Sequence, residues 1–363
     1  RTCVRETDTV SRLYGDEFMV LFSEVKLTDC VGHLARRLLH VLQQPFHIAG
    51  EEVFIDACIG ISVYPEDGRN AETLIRNADT AMNFAQKKGQ GNYQYFRSRM
   101  NKNLLHRVTV ERELRHALEH GEFILCYQPK YSLVTGAITG VEALLRWRHP
   151  AKGIISPAEF IPVAEESSLI LALGEWGLRE ACRQVKIWRE QGTGELPMAV
   201  NLSSKQFQDE RLLRLVIEVL AENSMQPEDL ELEITESVLM EKPEKAGQLI
   251  KDIGELGVRI AIDDFGTGYS SLAYLKSFPV NTLKIDQVFI REIVRDRNDA
   301  AIVASILSMA EHLNLKVVAE GVETEDQMEL LKKMGCEEVQ GYYFSKPLPP
   351  EGIAELPEKI SFC

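Results

Sequence analysis

The feature that most restricts the fold of this chain is a regular alternation of short apolar runs with longer amphipathic stretches, from about residue 104 onward. The short runs have the length and composition of β-strands, and the stretches between them repeat apolar residues every three or four positions, as helices do. Eight strand-like runs over about 250 residues predict a closed, TIM-like (β/α)8 barrel. The runs are "FILCYQP" at 123, "GVEALLRW" at 140, "MAVNLS" at 198, "LELEIT" at 230, "VRIAIDDF" at 258, "TLKID" at 282, "KVVAEG" at 316 and "EEVQGYYF" at 337.

The first 96 residues follow a different pattern, which predicts a small α+β unit. Strand-like runs flank the turn "YGDEF", a helix is expected through "VGHLARRLLHVLQQ", and "FIDACIGISVY" is a further β-like run. The stretch "AETLIRNADTAMNFAQKKG" predicts an amphipathic helix that ends at Gly89. Residues 97–120 are charged and helix-like, so we interpret them as a connector that leads into the barrel region at 104–363.

Composition limits the possible functions. The formal net charge of −14 disfavours sequence-independent binding to DNA, which depends on lysines and arginines that neutralise phosphates. The longest apolar runs fall well short of the ~18 residues of a membrane span. No secretory signal opens the chain and no initiator methionine begins it, so we expect further sequence upstream, including a sensor or membrane segment. The seven cysteines are widely spaced, which favours reduced thiols and a cytoplasmic location: Cys3, Cys30, Cys58, Cys126, Cys182, Cys336 and Cys363.

Oxygen-bearing side chains interrupt or end the predicted strands, and β/α barrels place their active sites at the carboxyl ends of the strands. They are Glu142, Asn201, Glu233, Asp263, Asp264 and Glu320. Any one of them could be a helix N-cap or a solvated strand end. Together they would repel each other unless divalent cations bound among them, and carboxylate and amide ligands suit Mg²⁺ or Mn²⁺. The absence of histidine from these positions disfavours zinc.

The adjacent acids Asp263 and Asp264 are the hardest of these residues to explain as structure alone, because like charges side by side cost free energy. Two cations about 3.5–4 Å apart, bridged by a carboxylate, would activate water and stabilise the oxygens of a phosphodiester during in-line displacement. Lys284, at the end of "TLK", could orient that water or neutralise developing charge, and its alternative interpretation is a surface lysine.

At these residues the chain resembles the EAL family of cyclic di-GMP phosphodiesterases, over essentially all of 104–356. The tripeptide "EAL" is common, so the specificity lies in the ordered set "EALLRW", "NLS", "ELEITE", "DDFGTGYSSL", "KID", "EGVET" and "QGYYFSKP". The resemblance implies hydrolysis of cyclic di-GMP to linear pGpG with Mg²⁺ or Mn²⁺, inhibition by Ca²⁺, and a homodimer formed through the barrel.

The resemblance also implies roles for individual residues. One cation would be held by Glu142, Asn201, Glu233 and Asp263. The second would be served by Asp263, Asp264 and Glu320. Lys284 would contact the attacking water, and Glu320 is also a candidate general base. Residues that match further family positions are Gln128, Arg146 and Gln340 around the substrate, Glu236 beside the loop "DFGTGYSSL", and Asp286 and Glu323 near the site.

The segment "RLYGDEF", followed by "IGISVYPEDG" and "ADTAMNFAQKKGQGN", resembles the C-terminal half of a GGDEF diguanylate cyclase domain. Tyr14 replaces the first glycine of the motif, where a glycine lets backbone approach a nucleotide, so we expect cyclase activity to be lost. Arg5 and Asp8 match the family's inhibitory RxxD site, which would bind cyclic di-GMP or GTP. Their alternative interpretation is a surface ion pair.

Three other functions compete with the phosphodiesterase hypothesis. A receptor would bind cyclic di-GMP without cutting it, but the full set of metal ligands and Lys284 argues against that. A bifunctional enzyme would also make cyclic di-GMP at "YGDEF". A Mg²⁺-dependent lyase on a similar barrel would leave "NLS" and "DDFGTGYSSL" unexplained.

Overall fold

The computed structural model describes residues 4–23, 28–48, 51–89, 91–194, 196–241, 243–268, 275, 277–357 and 359–360. The chain divides into two compact units, residues 1–109 and 110–363. Within the described ranges, no helix combines the length and the apolar character that a membrane crossing requires.

Among its described residues, the first unit contains three small two-stranded sheets, two complete helices and the start of a third. The strands β1 and β2 form an antiparallel hairpin around "YGDE", β3 pairs with β4 in a second hairpin, and β5 pairs with β6 in parallel. Only Ile59–Ile61 of the predicted run "FIDACIGISVY" is strand. The elements are β1 (Thr9–Tyr14), β2 (Glu17–Leu21), α1 (Thr28–Leu42), β3 (Phe46–Ile48), β4 (Glu51–Val53), β5 (Ile59–Ile61), α2 (Ala71–Lys87) and β6 (Tyr93–Tyr95). The helix α3 (Ser98–His120) contains the boundary between the units.

The second unit is a closed barrel of eight strands, as predicted. The strands are β7 (Phe123–Ser132), β8 (Ile138–His149), β10 (Met198–Leu202), β11 (Leu230–Thr235), β12 (Arg259–Phe265), β13 (Thr282–Ile285), β14 (Lys316–Ala319) and β15 (Glu338–Val339). Neighbours pair in that order, and the sheet closes where β10 pairs with β8. A short strand, β9 (Gly153–Ile155), extends the end of β8.

The first barrel strand runs opposite to the others. β7 is antiparallel to both β8 and β15, whereas the remaining pairs around the barrel are parallel. The expectation of repeated β/α units is therefore wrong for β7 and β8, which form a hairpin. Residues 133–137 between them are too few for a helical crossover, which needs a dozen or more residues. Gly136 makes the turn with a φ of 72°.

Helices surround the barrel and supply the outer half of its core. They are α4 (Pro157–Ser167), α5 (Leu169–Gln191), α6 (Ser204–Phe207), α7 (Leu212–Asn223), α8 (Glu236–Glu241), α9 (Pro243–Glu255), α10 (Gln287–Arg291), α11 (Arg297–His312), α12 (Glu325–Lys333) and α13 (Pro350–Ala354), with a 3₁₀ turn at Pro227–Asp229. Ile260 and Ile262 of β12 share a buried cluster with Ile250 and Ile253 of α9. Strands covered on both faces in this way read as nearly continuous apolar runs, so polar residues within them stand out.

Candidate active site

The strands of the barrel direct the predicted polar residues toward a common centre. In the parallel pairing, Asn201 of β10 lies beside Glu233 of β11, and Thr235 lies beside Asp263 of β12. Glu142 comes from the middle of β8, next to Ala199 of β10. Because the carboxyl ends of parallel strands meet at one end of a barrel, side chains far apart in the chain come within contact distance there.

Lys284 of β13 lies at the centre of this group, and its side chain is only 1% exposed. Its Nζ atom contacts four carboxylates: Glu233 Oε2 at 2.6 Å, Glu320 Oε1 at 2.7 Å, Asp263 Oδ1 at 3.3 Å and Glu142 Oε2 at 3.5 Å. Burial alone would lower the pKa of this ammonium, but the four carboxylates raise the pKa well above its ordinary value. Lys284 is therefore a protonated hydrogen-bond donor, and the interpretation as a surface lysine is wrong.

Amide side chains complete the surroundings of Glu142. Asn201 Nδ2 donates to Glu142 Oε1 at 2.6 Å, and Gln340 Nε2 donates to Glu142 Oε2 at 2.7 Å. Gln340 Nε2 also lies 3.2 Å from Gln128 Oε1, and Gln128 donates to the backbone oxygen of Ser345 at 3.0 Å. Three of the predicted substrate and metal residues thus form one hydrogen-bonded set around a single carboxylate.

A second group of acids lies beside Lys284. Carboxylate oxygens of Asp263, Asp264 and Glu320 all fall within 4.8 Å of one another, close enough to share a metal ion. Asp264 has a φ of 54°, a conformation that aspartate tolerates better than most residues, and its backbone N–H donates to Asp263 Oδ1 at 3.0 Å. The bend turns two successive carboxylates toward the same end of the barrel.

The acids crowd each other strongly enough to change their titration. Burial, and then the charge of Asp263, raise the pKa of Glu320 to about 8 against the opposing effect of Lys284. Loss of solvent, followed by repulsion from Asp263 and Asp286, raises the pKa of Asp264 to about 6. Five carboxylates around one ammonium leave an excess of negative charge, and oxygen donors of this kind match hard divalent cations. The donor set therefore fits divalent metal ions.

Glu236, at the start of α8, supports the segment after the paired aspartates. Its Oε2 atom accepts a hydrogen bond from the backbone N–H of Gly266 at 3.2 Å. A Cβ atom at Gly268 would lie 2.8 Å from Glu236 Oε1, so glycine there allows the close approach. Residues 269–272 of the predicted loop "DFGTGYSSL" lie outside the described residues.

The remaining predicted barrel residues each make a hydrogen bond outside this group. Arg146 Nη1 donates to the backbone oxygen of Leu145 at 2.8 Å. Asp286 caps α10 by accepting from Val288 N–H at 2.7 Å, and the Glu323 N–H donates to Gln327 Oε1 at 2.8 Å.

Three buried polar residues that were not predicted from the sequence lie next to the carboxylates around Lys284. Lys130 Nζ lies 2.8 Å from both Glu231 Oε1 and Glu233 Oε1, and Thr282 Oγ1 donates to Glu231 Oε2 at 2.9 Å. Period-two spacing could have identified them, since Glu231 precedes Glu233 by two residues in "LELEIT" and Lys130 follows Gln128 by two in "YQPK".

In the first unit, the carboxylate of Asp8 accepts from the backbone N–H of Arg5 at 2.8 Å, and Arg5 is exposed. Tyr14, at the "YGDEF" turn, is 70% exposed. Arg12 donates from Nε to the backbone oxygen of Gly15 at 2.8 Å, which braces the turn. The acid Asp16 of this turn is exposed.

Comparison with known proteins identifies both regions. The family model "EAL domain" matches residues 111–347, and "Diguanylate cyclase, GGDEF domain" matches residues 1–92. The bifunctional diguanylate cyclase/cyclic di-GMP phosphodiesterase MucR of Pseudomonas aeruginosa is 45% identical over 353 residues, covering 97% of this chain and 51% of MucR. The cyclic di-GMP phosphodiesterase PdeR of Escherichia coli is 39% identical over 348 residues, covering 96% of this chain and 52% of PdeR. The chain thus spans about half the length of these curated relatives.

Solved structures give the same result for the barrel. The PaMucR phosphodiesterase in complex with c-di-GMP has a TM-score of 0.66 and 46% identity, covering 68% of this chain and 99% of that one. The FimX EAL domain of Pseudomonas aeruginosa bound to c-di-GMP has a TM-score of 0.61 and 26% identity, covering 67% of this chain and 96% of that one. The chain, a GGDEF segment followed by a barrel with these contacts, therefore belongs to the EAL domain family.

Proposed function

We propose that this chain hydrolyses cyclic di-GMP to linear pGpG. The observation that carries the proposal is the buried ring of carboxylates around Lys284, because its chemistry suits phosphodiester hydrolysis assisted by divalent metal ions. Relatives named as cyclic di-GMP phosphodiesterases, at 39–45% identity over nearly the whole chain, support the choice of substrate.

The donor set supports a site for two cations, Mg²⁺ or Mn²⁺. Glu142, Asn201, Glu233 and Asp263 would hold one cation, and Asp263, Asp264 and Glu320 would serve the other. When bound, such ions polarise the phosphodiester oxygens and lower the pKa of water. Ca²⁺ is expected to inhibit, because it accepts longer and more variable coordination than the near-octahedral geometry of Mg²⁺.

Side chains of the barrel would carry out proton transfer, charge stabilisation and substrate binding. Lys284 stays protonated, so it donates to the attacking water and stabilises negative charge that develops at the phosphate. Glu320, in contact with Lys284, accepts the proton of that water. Gln128, Arg146 and Gln340 bind and orient the dinucleotide.

The GGDEF segment acts as a regulatory module in this proposal. Arg5 and Asp8 would bind cyclic di-GMP or GTP, and Tyr14 at the motif glycine position would prevent cyclase activity. We assign residues 1–96 to this module, 97–120 to the helical connector and 104–363 to the catalytic barrel. The chain would work in the cytoplasm.

A homodimer through the barrel is the expected assembly, with the loop after Asp264 coupling dimer packing to metal binding. The bond from Gly266 N–H to Glu236 supports this role for Glu236. Glu236→Ala should weaken both metal affinity and dimerisation, measured by titration calorimetry and sedimentation. Full activity and unchanged metal affinity in that variant would refute the coupling.

The experiment that tests the function follows pGpG by chromatography after incubating the purified chain with cyclic di-GMP. We expect product with Mg²⁺ or Mn²⁺, and none with Ca²⁺ alone or in Glu142→Ala. Tight binding without turnover would instead identify a cyclic di-GMP receptor. Formation of cyclic di-GMP from GTP would identify a bifunctional enzyme.

A further inference from the structure

The four carboxylates that contact Lys284 form what we call the carboxylate ring: Glu142, Glu233, Asp263 and Glu320. Beneath this ring lies a second buried polar group, which we call the floor cluster: Lys130, Glu231 and Thr282. On β7, Lys130 lies two residues from Gln128, and on β11, Glu231 lies two residues from Glu233. On β13, Thr282 lies two residues from Lys284. Because side chains two residues apart share a strand face, the floor cluster forms the next layer of the barrel interior. The side chains of Lys130 and Glu231 are 5% and 10% exposed.

Lys130 joins the two layers through Glu233. Its Nζ atom lies 2.8 Å from Glu233 Oε1, while Lys284 Nζ lies 2.6 Å from Glu233 Oε2. One carboxylate therefore has a lysine at each oxygen, one from below and one from above. The other contact of Lys130 is with Glu231, at 2.8 Å, and Thr282 fixes the far oxygen of Glu231.

If Lys130 served only as the counter-ion of Glu231, it would not also need to contact Glu233. A single buried pair of Lys130 and Glu231 is already neutral, and apolar side chains of similar volume would often be as stable or more stable. The additional contact with Glu233 instead fixes the orientation of a residue in the ring. In proteins, groups that hold a ligand side chain from behind commonly tune the metal site as strongly as the ligands do.

Resting on the function proposed above, we propose that Lys130 is a positioning residue that holds Glu233 so that its second oxygen faces Lys284 and the metal site. Without the Lys130 charge, Glu231 and Glu233 would lie one strand repeat apart with no cation between them. Lys284 would then be drawn down toward these two acids and away from Glu320 and Asp263, which it contacts at 2.7 and 3.3 Å. Lys130 thus keeps Lys284 at the end of the barrel where the substrate would bind.

The test compares three variants of the full chain. Lys130→Met removes the charge. Lys130→Met/Glu231→Met/Thr282→Val replaces the three side chains of the floor cluster by apolar ones and so removes the Lys130–Glu231 ion pair as a whole. Lys333→Met is the matched control, because that lysine lies 3.1 Å from Glu329 with 73% of its side chain exposed. Each variant is measured for Mn²⁺ affinity by calorimetry and electron paramagnetic resonance, for melting temperature, and for kcat and KM with cyclic di-GMP.

We expect Lys130→Met to lower both the melting temperature and the Mn²⁺ affinity, the affinity by roughly 10–100-fold. The triple variant should regain the melting temperature but keep the weakened Mn²⁺ affinity and a lowered kcat, while Lys333→Met matches the unmodified chain. Recovery of Mn²⁺ affinity in the triple variant would overturn the proposal, because Lys130 would then serve only to neutralise Glu231. If Lys130→Met fails to fold, the triple variant alone decides between these outcomes.

The Mn²⁺ measurement also separates this proposal from the assignment of activity. An unmodified chain that binds Mn²⁺ but does not hydrolyse cyclic di-GMP would contradict the proposed function. The ratio of Mn²⁺ affinities between the unmodified chain and the triple variant would still support or overturn the role of Lys130.

Discussion

Each of the two units carries a pair of adjacent acids, and their surroundings differ. In the barrel, Asp263 and Asp264 lie within 4.8 Å of Glu320, and Asp263 contacts the buried Lys284 at 3.3 Å. In the first unit, Asp16 lies in the turn of a short hairpin and Glu17 begins β2; Asp16 is exposed and the nearby Tyr14 is 70% exposed. The same residue types therefore lie among other charged side chains at one end of the barrel in one unit and on a hairpin tip in the other. Asp264 is itself exposed, so the two pairs differ in their charged neighbours rather than in exposure alone.

The difference in surroundings shows that the chemical role of an acidic pair depends on the charged groups held close to it. Charges near solvent are screened, whereas buried charges interact strongly with every neighbour. The barrel can hold its acids close together because a closed sheet and the surrounding helices fix each strand. A two-stranded hairpin provides no comparable enclosure.

The largest expected contrast concerns packing. Trp147 is fully buried against Phe160, with ring centroids 5.7 Å apart, whereas Leu13 of the hairpin is 45% exposed. Trp147→Ala should lower the free energy of unfolding by about 3–5 kcal/mol, through lost burial and the cavity left behind. Leu13→Ala should change it by less than about 0.5 kcal/mol. Urea unfolding followed by circular dichroism measures both, and similar losses in the two variants would break the comparison.

The second contrast concerns catalysis. Lys284→Met removes the buried cation that contacts four carboxylates, so kcat for cyclic di-GMP hydrolysis should fall by roughly 10²–10³-fold. Asp16→Asn changes an acid of the exposed turn and should leave pGpG formation unchanged. A large loss of pGpG formation in Asp16→Asn would show that the hairpin acts directly on the barrel's chemistry.

A third prediction uses pH to separate the crowded acids of the barrel from carboxyl groups with ordinary pKa values. Glu320 and Asp264 have pKa values raised to about 8 and about 6, whereas unfolded carboxyls titrate near ~4. Between these values the folded barrel retains protons that the unfolded chain has lost, so the free energy of unfolding should fall as pH rises from about 4 to about 8. We expect a decrease of at least ~1 kcal/mol in a chelating buffer, measured by thermal melts.

Two controls accompany the pH measurement. Glu320→Gln removes the carboxyl with the larger shift and should flatten the profile. Saturating Mg²⁺ should do the same, because a divalent cation favours the ionised carboxylates. A profile that rises between pH 5 and pH 8 in the chelating buffer would contradict the assignment of these pKa shifts.

The smallest contrast concerns helix capping. In the first unit, Asn70 caps α2 by accepting a hydrogen bond from Thr73 N–H at 2.8 Å. In the barrel, Ser156 precedes α4 with no side-chain bond to that helix. Asn70→Ala should destabilise the first turn of α2 by about 1 kcal/mol, and Ser156→Ala should have a much smaller effect. Amide hydrogen exchange in the two helices measures the difference, and equal protection losses would contradict it.

Much of the barrel could be predicted from sequence because each strand is a distinct apolar run. All eight predicted runs contain a barrel strand, and most of the predicted polar residues contact one another or Lys284. The opposite direction of β7 was missed because an apolar run carries no information about strand direction. The short connection from 133 to 137 was the available signal, since it cannot hold a crossover helix.

The charged layer under the ring was missed for a different reason. Lys130 and Glu231 lie within strands rather than at their ends, and a rule based on strand ends does not find them. The last strand was also shorter than its apolar run, since only Glu338–Val339 of "EEVQGYYF" is strand. The run continues into a turn in which Gln340 N–H still bonds to Ala319 O at 2.9 Å. Which oxygen faces which lysine depends on three-dimensional closure and could not be predicted from local pattern.

The pairing of the first barrel strand with the last has a consequence for protein synthesis. Gln128 and Gln340, which bond at 3.2 Å, are 212 residues apart in the chain. A ribosome that adds about 5–20 residues per second needs on the order of ten seconds or more to make that interval. Throughout that time β7 lacks its second neighbour, β15, and the ring lacks Gln340. The nascent chain therefore exposes an unpaired strand edge until β15 emerges, and a product truncated before β15 is expected to keep that edge open for pairing with other chains.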